Sequence, residues 1–429
     1  MKVFTILFSL LFSSALVSAQ LSTYEWSNKV ATATTAKKSL VDAGGNIYVW
    51  ITAGAPVTIG STTYTSTSGS TGNFIVKYDP NGSITWSREV KFVIYNMSFN
   101  TDSTSILLCG LIQSNYNSLD MGNGITIGTG FNSAGIIAKI SAATNGTEWV
   151  QGYDPTIPTL TTAKPVSAIY EVNNRMFAVQ DLKMRRLDVN GVEVWNRVIT
   201  ANGTTYSLEN KNFNSFADAA GNSFYIGLSD NGNSTYMTLN GSTYTLLGGN
   251  NVCRTYFSLD ENGNTNWVRK NVNFQVGKNV QVLPTGELVL GGYNIYNGYV
   301  GESNHPFKVD FCSRLYNVFK ANLKTAATIW EAQAPQIGNV NSSGFHVGGD
   351  GNLYLLSHVQ SASSIFYNLP TTARAFRPIA APGNYLMRIN SQGIPDSIFS
   401  VNTFSGTSVT TLDFSVINLH RTAAGKLVM

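Results

Sequence analysis

The sequence predicts an all-β fold: a seven-bladed β-propeller with four-stranded antiparallel blades. Three observations predict it. One turn-and-tryptophan segment recurs along the chain, a second kind of turn alternates with it, and charged residues make up only 12% of 429 residues. That charged share is about half the usual one. Gly, Ser, Thr and Asn fill the gap, which suits strands and turns and is poor for helices.

The recurring segment is Lys77-Tyr78-Asp79-Pro80-Asn81-Gly82-Ser83-Ile84-Thr85-Trp86. It returns as Arg186 to Trp195 and as Ser258 to Trp267 with the same internal spacing. Each copy reads as a strand end, an Asn-Gly turn and a second strand that reaches Trp. Asn-Gly tolerates positive φ at both central residues, so a two-residue type I′ hairpin is expected. The Trp-bearing strand occurs first at Glu25-Trp26-Ser27 and again at Trp86, Trp149, Trp195, Trp267 and Trp330. A degenerate copy is expected at Asp396-Ser397-Ile398-Phe399, with Phe in place of Trp. The copies before Trp149 and Trp330 carry one extra residue and looser turns.

The second hairpin type is clearest at Asp42-Ala43-Gly44-Gly45-Asn46 and Asp218-Ala219-Ala220-Gly221-Asn222. Others start at Pro284, Asp350 and Ala423, with weaker versions at Asp102-Ser103-Thr104 and Asn173-Asn174-Arg175. Seven of each type alternate, and six or eight blades fit that count less well. Two hairpins make four strands, and a four-stranded unit at this period is the mark of a propeller blade. The chain opens with an outer strand and finishes with an inner hairpin, so the N-terminal strand is expected to join the C-terminal blade. Met429 falls in mid-strand; either the closing blade has three strands or the sequence is cut short there.

Residues 1–19 read as a secretory signal. Lys2 supplies the charge, Phe4 to Leu16 the apolar run, and Val17-Ser18-Ala19 the small-residue cleavage site. Cleavage after Ala19 leaves residues 20–429 as one propeller domain. The apolar run is too short for a membrane span, and no later stretch approaches one. A soluble exported protein is expected, secreted, at the cell surface or periplasmic, and monomeric by default. Net charge is +4, with Lys and Arg scattered. Lys183, Arg185 and Arg186 form the one dense spot, better read as a solvated strand face, so nucleic acid is not an expected partner. Of three cysteines, Cys109 reads as a buried apolar residue; a Cys253–Cys312 bridge is conceivable, the bland alternative being two free thiols.

Long insertions separate the second and third strands of several blades: Ala53–Gly72, Gln113–Ala134, Ser229–Val252, Gly292–Leu315 and the Pro- and Ala-rich His358–Gly383. Loops on a rigid scaffold commonly bind ligands, so the face bearing them is the expected functional one. The richest candidate is Tyr293, Asn294, Tyr296, Asn297 and Tyr299, with His305 beyond. Rings stack on sugar faces and amides bond hydroxyls. The competing reading is a Tyr/Asn-rich strand pair packed on its neighbour.

Asp260-Glu261-Asn262-Gly263-Asn264 spaces oxygens as calcium loops do, but Thr265 stands where Gly is needed and no Glu follows at the twelfth position. Backbone capping by Asp explains these turns better. His305, His346, His358 and His420 show no ligand spacing. No metal or cofactor is expected, and no Gly-x-Ser-x-Gly elbow or carboxylate couple stands out.

The pattern Asp42–Val49 with Phe74–Trp86, and Asp218–Ile226 with Tyr256–Trp267, resembles the secreted β-propeller repeats of exported Bacteroidetes-type proteins. The resemblance covers most of the chain. It implies a propeller and an extracellular or surface address, and it carries over no catalytic residues. Such proteins often end in a domain for type IX secretion; its absence here implies truncation, a periplasmic protein or another export route. The expected function is a non-enzymatic binding or scaffold module for a glycan or cell-surface protein. The alternative is a carbohydrate-active hydrolase or lyase with its site at the central mouth. An adhesin fragment lacking its other domains is a third possibility.

Overall fold

The computed structural model describes residues 34–54, 56–64, 71–112, 119–122, 125–127, 135–153, 164–202, 206–210, 213, 215–229, 236–245, 253–271, 274–294, 316–334, 345–348, 350–359, 363–368, 375–379, 383–400, 420–421 and 427–428. Trp26 and the signal segment lie outside them, as does Cys312. Among the described residues there is no α-helix, and so no helix long and apolar enough to cross a membrane.

Six four-stranded antiparallel meanders follow one another, each strand pairing with the next. The first comprises Thr34–Val41, Ile47–Gly54, Thr71–Tyr78 and Ile84–Val90. The second comprises Val93–Phe99, Ser105–Leu111, Gly135–Ser141 and Thr147–Tyr153. The third comprises Val166–Val172, Arg175–Gln180, Lys183–Leu187 and Glu193–Val198. The fourth comprises Tyr206–Leu208, Ser223–Ser229, Cys253–Leu259 and Thr265–Asn271. The fifth comprises Phe274–Val282, Glu287–Asn294, Tyr316–Asn322 and Thr328–Ala334. The sixth comprises Phe345–Val347, Leu353–Val359, Gly383–Ile389 and Pro395–Ser400. A last pair, His420–Arg421 with Leu427–Val428, ends the chain.

The first strands of meanders one, two and three touch in succession, as do those of five and six; His420–Arg421 lies against Thr34–Val41. First strands are therefore inner and the Trp-bearing fourth strands outer. Both faces of the middle strands are apolar because neighbouring sheets cover both. Ile106, Leu107, Leu108 and Cys109 are all buried, and Cys109 is a free thiol as the sequence implies.

The Trp residues fasten each meander to the next. Indole N–H donates to Ala142 O from Trp86 at 3.3 Å, to Val189 O from Trp149 at 3.1 Å and to Glu261 O from Trp195 at 2.9 Å. Trp267 reaches Leu323 O at 2.8 Å and Trp330 reaches Ser391 O at 3.1 Å. Every acceptor is the second residue of the Trp-side turn in the following meander. Basic side chains across the strand join in: Lys77 donates to Ala142 O at 3.2 Å and Arg186 to Glu261 O at 3.1 Å.

The turns differ from the expected type I′. Asp79 accepts from Gly82 N–H at 3.0 Å and donates to Ser83 O at 2.9 Å, and in this turn only Gly82 has positive φ, 85°. This is a three-residue loop, a type I turn followed by a left-handed Gly. Pro80 favours it, because proline's fixed φ suits the first corner of a type I turn. Asp79 Oδ1 accepts from Asn81 and Ser83 N–H at 2.9 and 2.8 Å, the capping role read for Asp from sequence. The longer turns place Asn145 (φ 56°) and Ala326 (φ 60°) at the left-handed position. The Gly of the short turn also admits the tryptophan: a Cβ on Gly393 would stand 2.7 Å from the Trp330 ring.

Register corrects the seventh Trp copy. Each outer strand is bulged just before its Trp, pairing Lys77 with Trp86, Lys139 with Trp149 and Lys320 with Trp330. In the sixth meander the same register pairs Arg388 with Ser397, and Phe399 lies opposite Leu386. Ser397, not Phe399, holds the Trp position; the bulge shifts the count that spacing alone uses.

Trp195→Phe removes one indole bond and keeps most of the ring. A loss of about 1 kcal/mol is expected, read as a lower urea midpoint with an unchanged slope. Gly263→Ala, at φ 78° with a Cβ 3.0 Å from Arg197 Nε, should cost at least as much, since left-handed backbone costs an L-residue about 1–2 kcal/mol.

Candidate functional site

A meander places its first and third turns at one end, and its middle connection and the link to the next sheet at the other. The capping turns therefore share one end, and the insertions and inter-sheet links share the opposite end.

Three insertions fold where open loops were expected. Val57–Ile59 pairs with Thr62–Tyr64, Leu119–Asp120 with Thr126–Ile127, and Tyr236–Leu239 with Ser242–Thr245. The hairpins match in pattern. Val57, Ile59, Met121, Met237 and Leu239 are buried on one side. On the other, Thr58 and Thr63 hydroxyls meet at 3.0 Å, and Thr238 and Thr243 at 3.3 Å. The alternation Val-Thr-Ile and Met-Thr-Leu is the signal that could have found them. Each hairpin is fixed to the outer strand of its own meander. Tyr64 and Ser87 hydroxyls meet at 2.7 Å, Thr147 donates to Met121 O, and Asn240 donates to Thr265 Oγ1 at 3.1 Å. The sixth insertion instead crosses to the fifth sheet, where Ser363–Asn368 pairs with the edge strand at Glu331–Gln333.

The first strands of the meanders break register at the insertion end. Lys37 is the extra residue between Ala36 and Lys38, Tyr95 between Ile94 and Asn96, and Ser167 between Val166 and Ala168. The fifth inner strand is irregular between Val276 and Val280. Bulges re-aim side chains and recur beside functional sites. Here they leave Lys37 exposed and Tyr95 39% exposed. Gly110 makes the second bulge possible: a Cβ there would lie 1.9 Å from Val93 O.

Lys38 turns toward the second meander and donates to Asn96 Oδ1 at 3.0 Å. Burial pulls its ammonium down to about 8, partly opposed by Cys109, whose thiol burial itself pushes far up. No carboxylate pairs with Lys37, Lys38, Lys91 or Lys164 among the described residues. Sequence reasoning missed this cluster, since bulges leave no spacing signature.

The Tyr/Asn candidates are only partly placed. Tyr293 and Asn294 end the second strand of the fifth meander, with Tyr293 opposite Gln275 and Tyr316. Tyr296, Asn297, Tyr299 and His305 lie outside the described residues. His346 sits on the sixth inner strand opposite Tyr354, held neutral by burial, which lowers it to about 4. Among the described residues no three His, Cys, Asp or Glu side chains group to hold a metal ion.

No protein-family model matches the chain, and no curated protein does. Similar solved structures include the β-propeller domain of the Trilobed protease from Pyrococcus furiosus, at 8% identity over 88% of this chain and 100% of that one, TM-score 0.40. Another is a protein of unknown function from Bacteroides caccae, at 8% identity over 68% and 93%, TM-score 0.30. A third is the Neurospora crassa Pan2 WD40 domain, at 11% over 70% and 84%, TM-score 0.27.

Lys38 generates a pH test. Its folded value near 8 lies below the ordinary 10.5, so between these limits the unfolded chain binds more protons and stability rises with pH. Cys109 keeps its proton throughout. Lys38→Met should flatten the rise in urea midpoint between pH 7.5 and 9.5; an equal rise in both proteins would show that Lys38 does not cause it.

Proposed function

We propose that this chain is an exported, non-enzymatic binding module, a seven-bladed ring that holds a glycan or a cell-surface protein at its insertion end. The carrying observation is the shared height of the inner-strand bulges, which brings Lys37, Tyr95 and Ser167 to adjacent strands at that end. An exposed ring beside cations suits a polyhydroxylated ligand. Several other charged groups are occupied by the scaffold: Arg185 pairs with Glu193, Arg254 with Glu209 and Lys320 with Glu287.

The repeat supports ring closure. Five tryptophans each donate to the turn of the next meander, and by the same spacing Trp26 serves the turn Asp79–Ser83. The contact of His420–Arg421 with Thr34–Val41 supports a seventh blade shared by both termini. Export rests on residues 1–19, and the Bacteroidetes-type repeat pattern agrees with it.

A glycan array with the mature chain tests the function. Tyr95→Ser should weaken any hit at least tenfold while the far-UV spectrum stays unchanged. Undiminished binding in that variant would move the site elsewhere. For closure, Trp26→Phe should lower the melting temperature about as much as Trp195→Phe; no change would leave the ring open.

A further inference from the structure

We propose that the ligand of this inner mouth is an anionic polysaccharide, whose carboxylate or sulfate groups are held by lysines of the bulged inner strands. The proposal rests on the binding reading of the mouth and adds its charge.

The first observation is where the carboxylates go. Asp42, Asp79, Asp188, Asp218, Asp260 and Asp350 cap turns at the end away from the insertions. Among the described residues of the inner strands the acid is Glu171, at the turn end, where it accepts from Thr101 N–H at 3.1 Å; Glu209, just past the fourth inner strand, is neutralised by Arg254 at 2.9 Å. The described lysines of those strands are Lys37 and Lys38, at the first register break. Turn chemistry thus draws acid to one end of the array and leaves the inner strands basic at the other.

The second observation is Lys38. An ammonium withdrawn from water is costly without a counter-charge, and its hydrogen-bond partner here is the neutral Asn96 Oδ1. Lys91 and Lys164 flank the same mouth on the links into the second and third inner strands, without ion pairs among the described residues. Asp120 lies out on an insertion hairpin, and Asp181, on the tight middle turn of the third meander, is an acid at the insertion end, one residue past Gln180, which pairs with Val166. A ligand anion therefore supplies a counter-charge that no described residue gives Lys38. Tyr95 gives this anion site a stacking surface, which favours a sugar chain over an acidic peptide.

The test uses the full mature chain with four probes: dextran, dextran sulfate, polygalacturonate and poly-glutamate. Calorimetry or biolayer interferometry should show binding to dextran sulfate or polygalacturonate, weakening steeply with salt, and none to dextran. The two anionic arms separate sulfate from carboxylate recognition. Lys37→Gln should weaken binding at least fivefold and Lys38→Met at least tenfold. Lys324→Gln, at the opposite end, should leave it unchanged; it also reports on non-specific charge effects. Preference for dextran, or anionic binding unaltered in both mouth variants, would overturn the charge assignment while the Tyr95→Ser result still judges the mouth itself. Equal binding of poly-glutamate would overturn the polysaccharide assignment, and no binding to any probe would overturn the proposal. If Lys38→Met fails to fold, the exposed Lys37→Gln carries the decision.

Discussion

The fold depends on an indole N–H reaching across a sheet boundary. Each meander buries its faces only if the next one stands at the right distance and angle, and hydrophobic packing alone does not set that angle. The tryptophan sets it by a directional bond to one carbonyl in the neighbouring turn. The turn in turn must be tight enough to present that carbonyl and bare enough to let the ring approach. Its left-handed glycine meets both demands at once, as Gly263 does beneath Trp195 and Arg197. Arg197 adds donors to Gly263 O at 3.0 Å and Asn262 O at 2.7 Å, so the same turn is held from two sides.

With the outer boundaries fixed in this way, the inner strands are free to depart from regularity. The bulges at Lys37, Tyr95 and Ser167 fall where the middle strands are anchored on both faces. The insertions serve the scaffold on their apolar side and face solvent with hydroxyls on the other. The sixth meander's insertion goes further and extends the fifth sheet as its fifth and sixth strands, which covers the edge strand at Glu331–Gln333. Scaffold and site are thus built from the same repeat by local departures from it.

Much of the fold is legible in the sequence because its turns are chemically distinctive. Asp-x-Asn-Gly and Asp-x-x-Gly-Asn mark hairpins through capping bonds that a reader can count, and Trp marks the strand that follows. What is not legible has physical reasons. The turn type was missed because Asn-Gly fits a two-residue loop equally well; only Pro80 hinted at the longer one. Phe399 was chosen over Ser397 because a bulge changes register without changing composition. The grouping of Lys37, Lys38 and Tyr95 was invisible because it is assembled from two strands more than fifty residues apart in the chain.

Ser397 makes one boundary unlike the rest. Where five meanders present an indole, the sixth presents a short hydroxyl, and Arg388 turns back to Asp396 within its own sheet at 2.7 and 3.0 Å. The array therefore has a built-in seam after its sixth unit. Partial opening under heat or load starts at the weakest cooperative boundary, so this protein unzips from its seam while the tryptophan-latched units stay together.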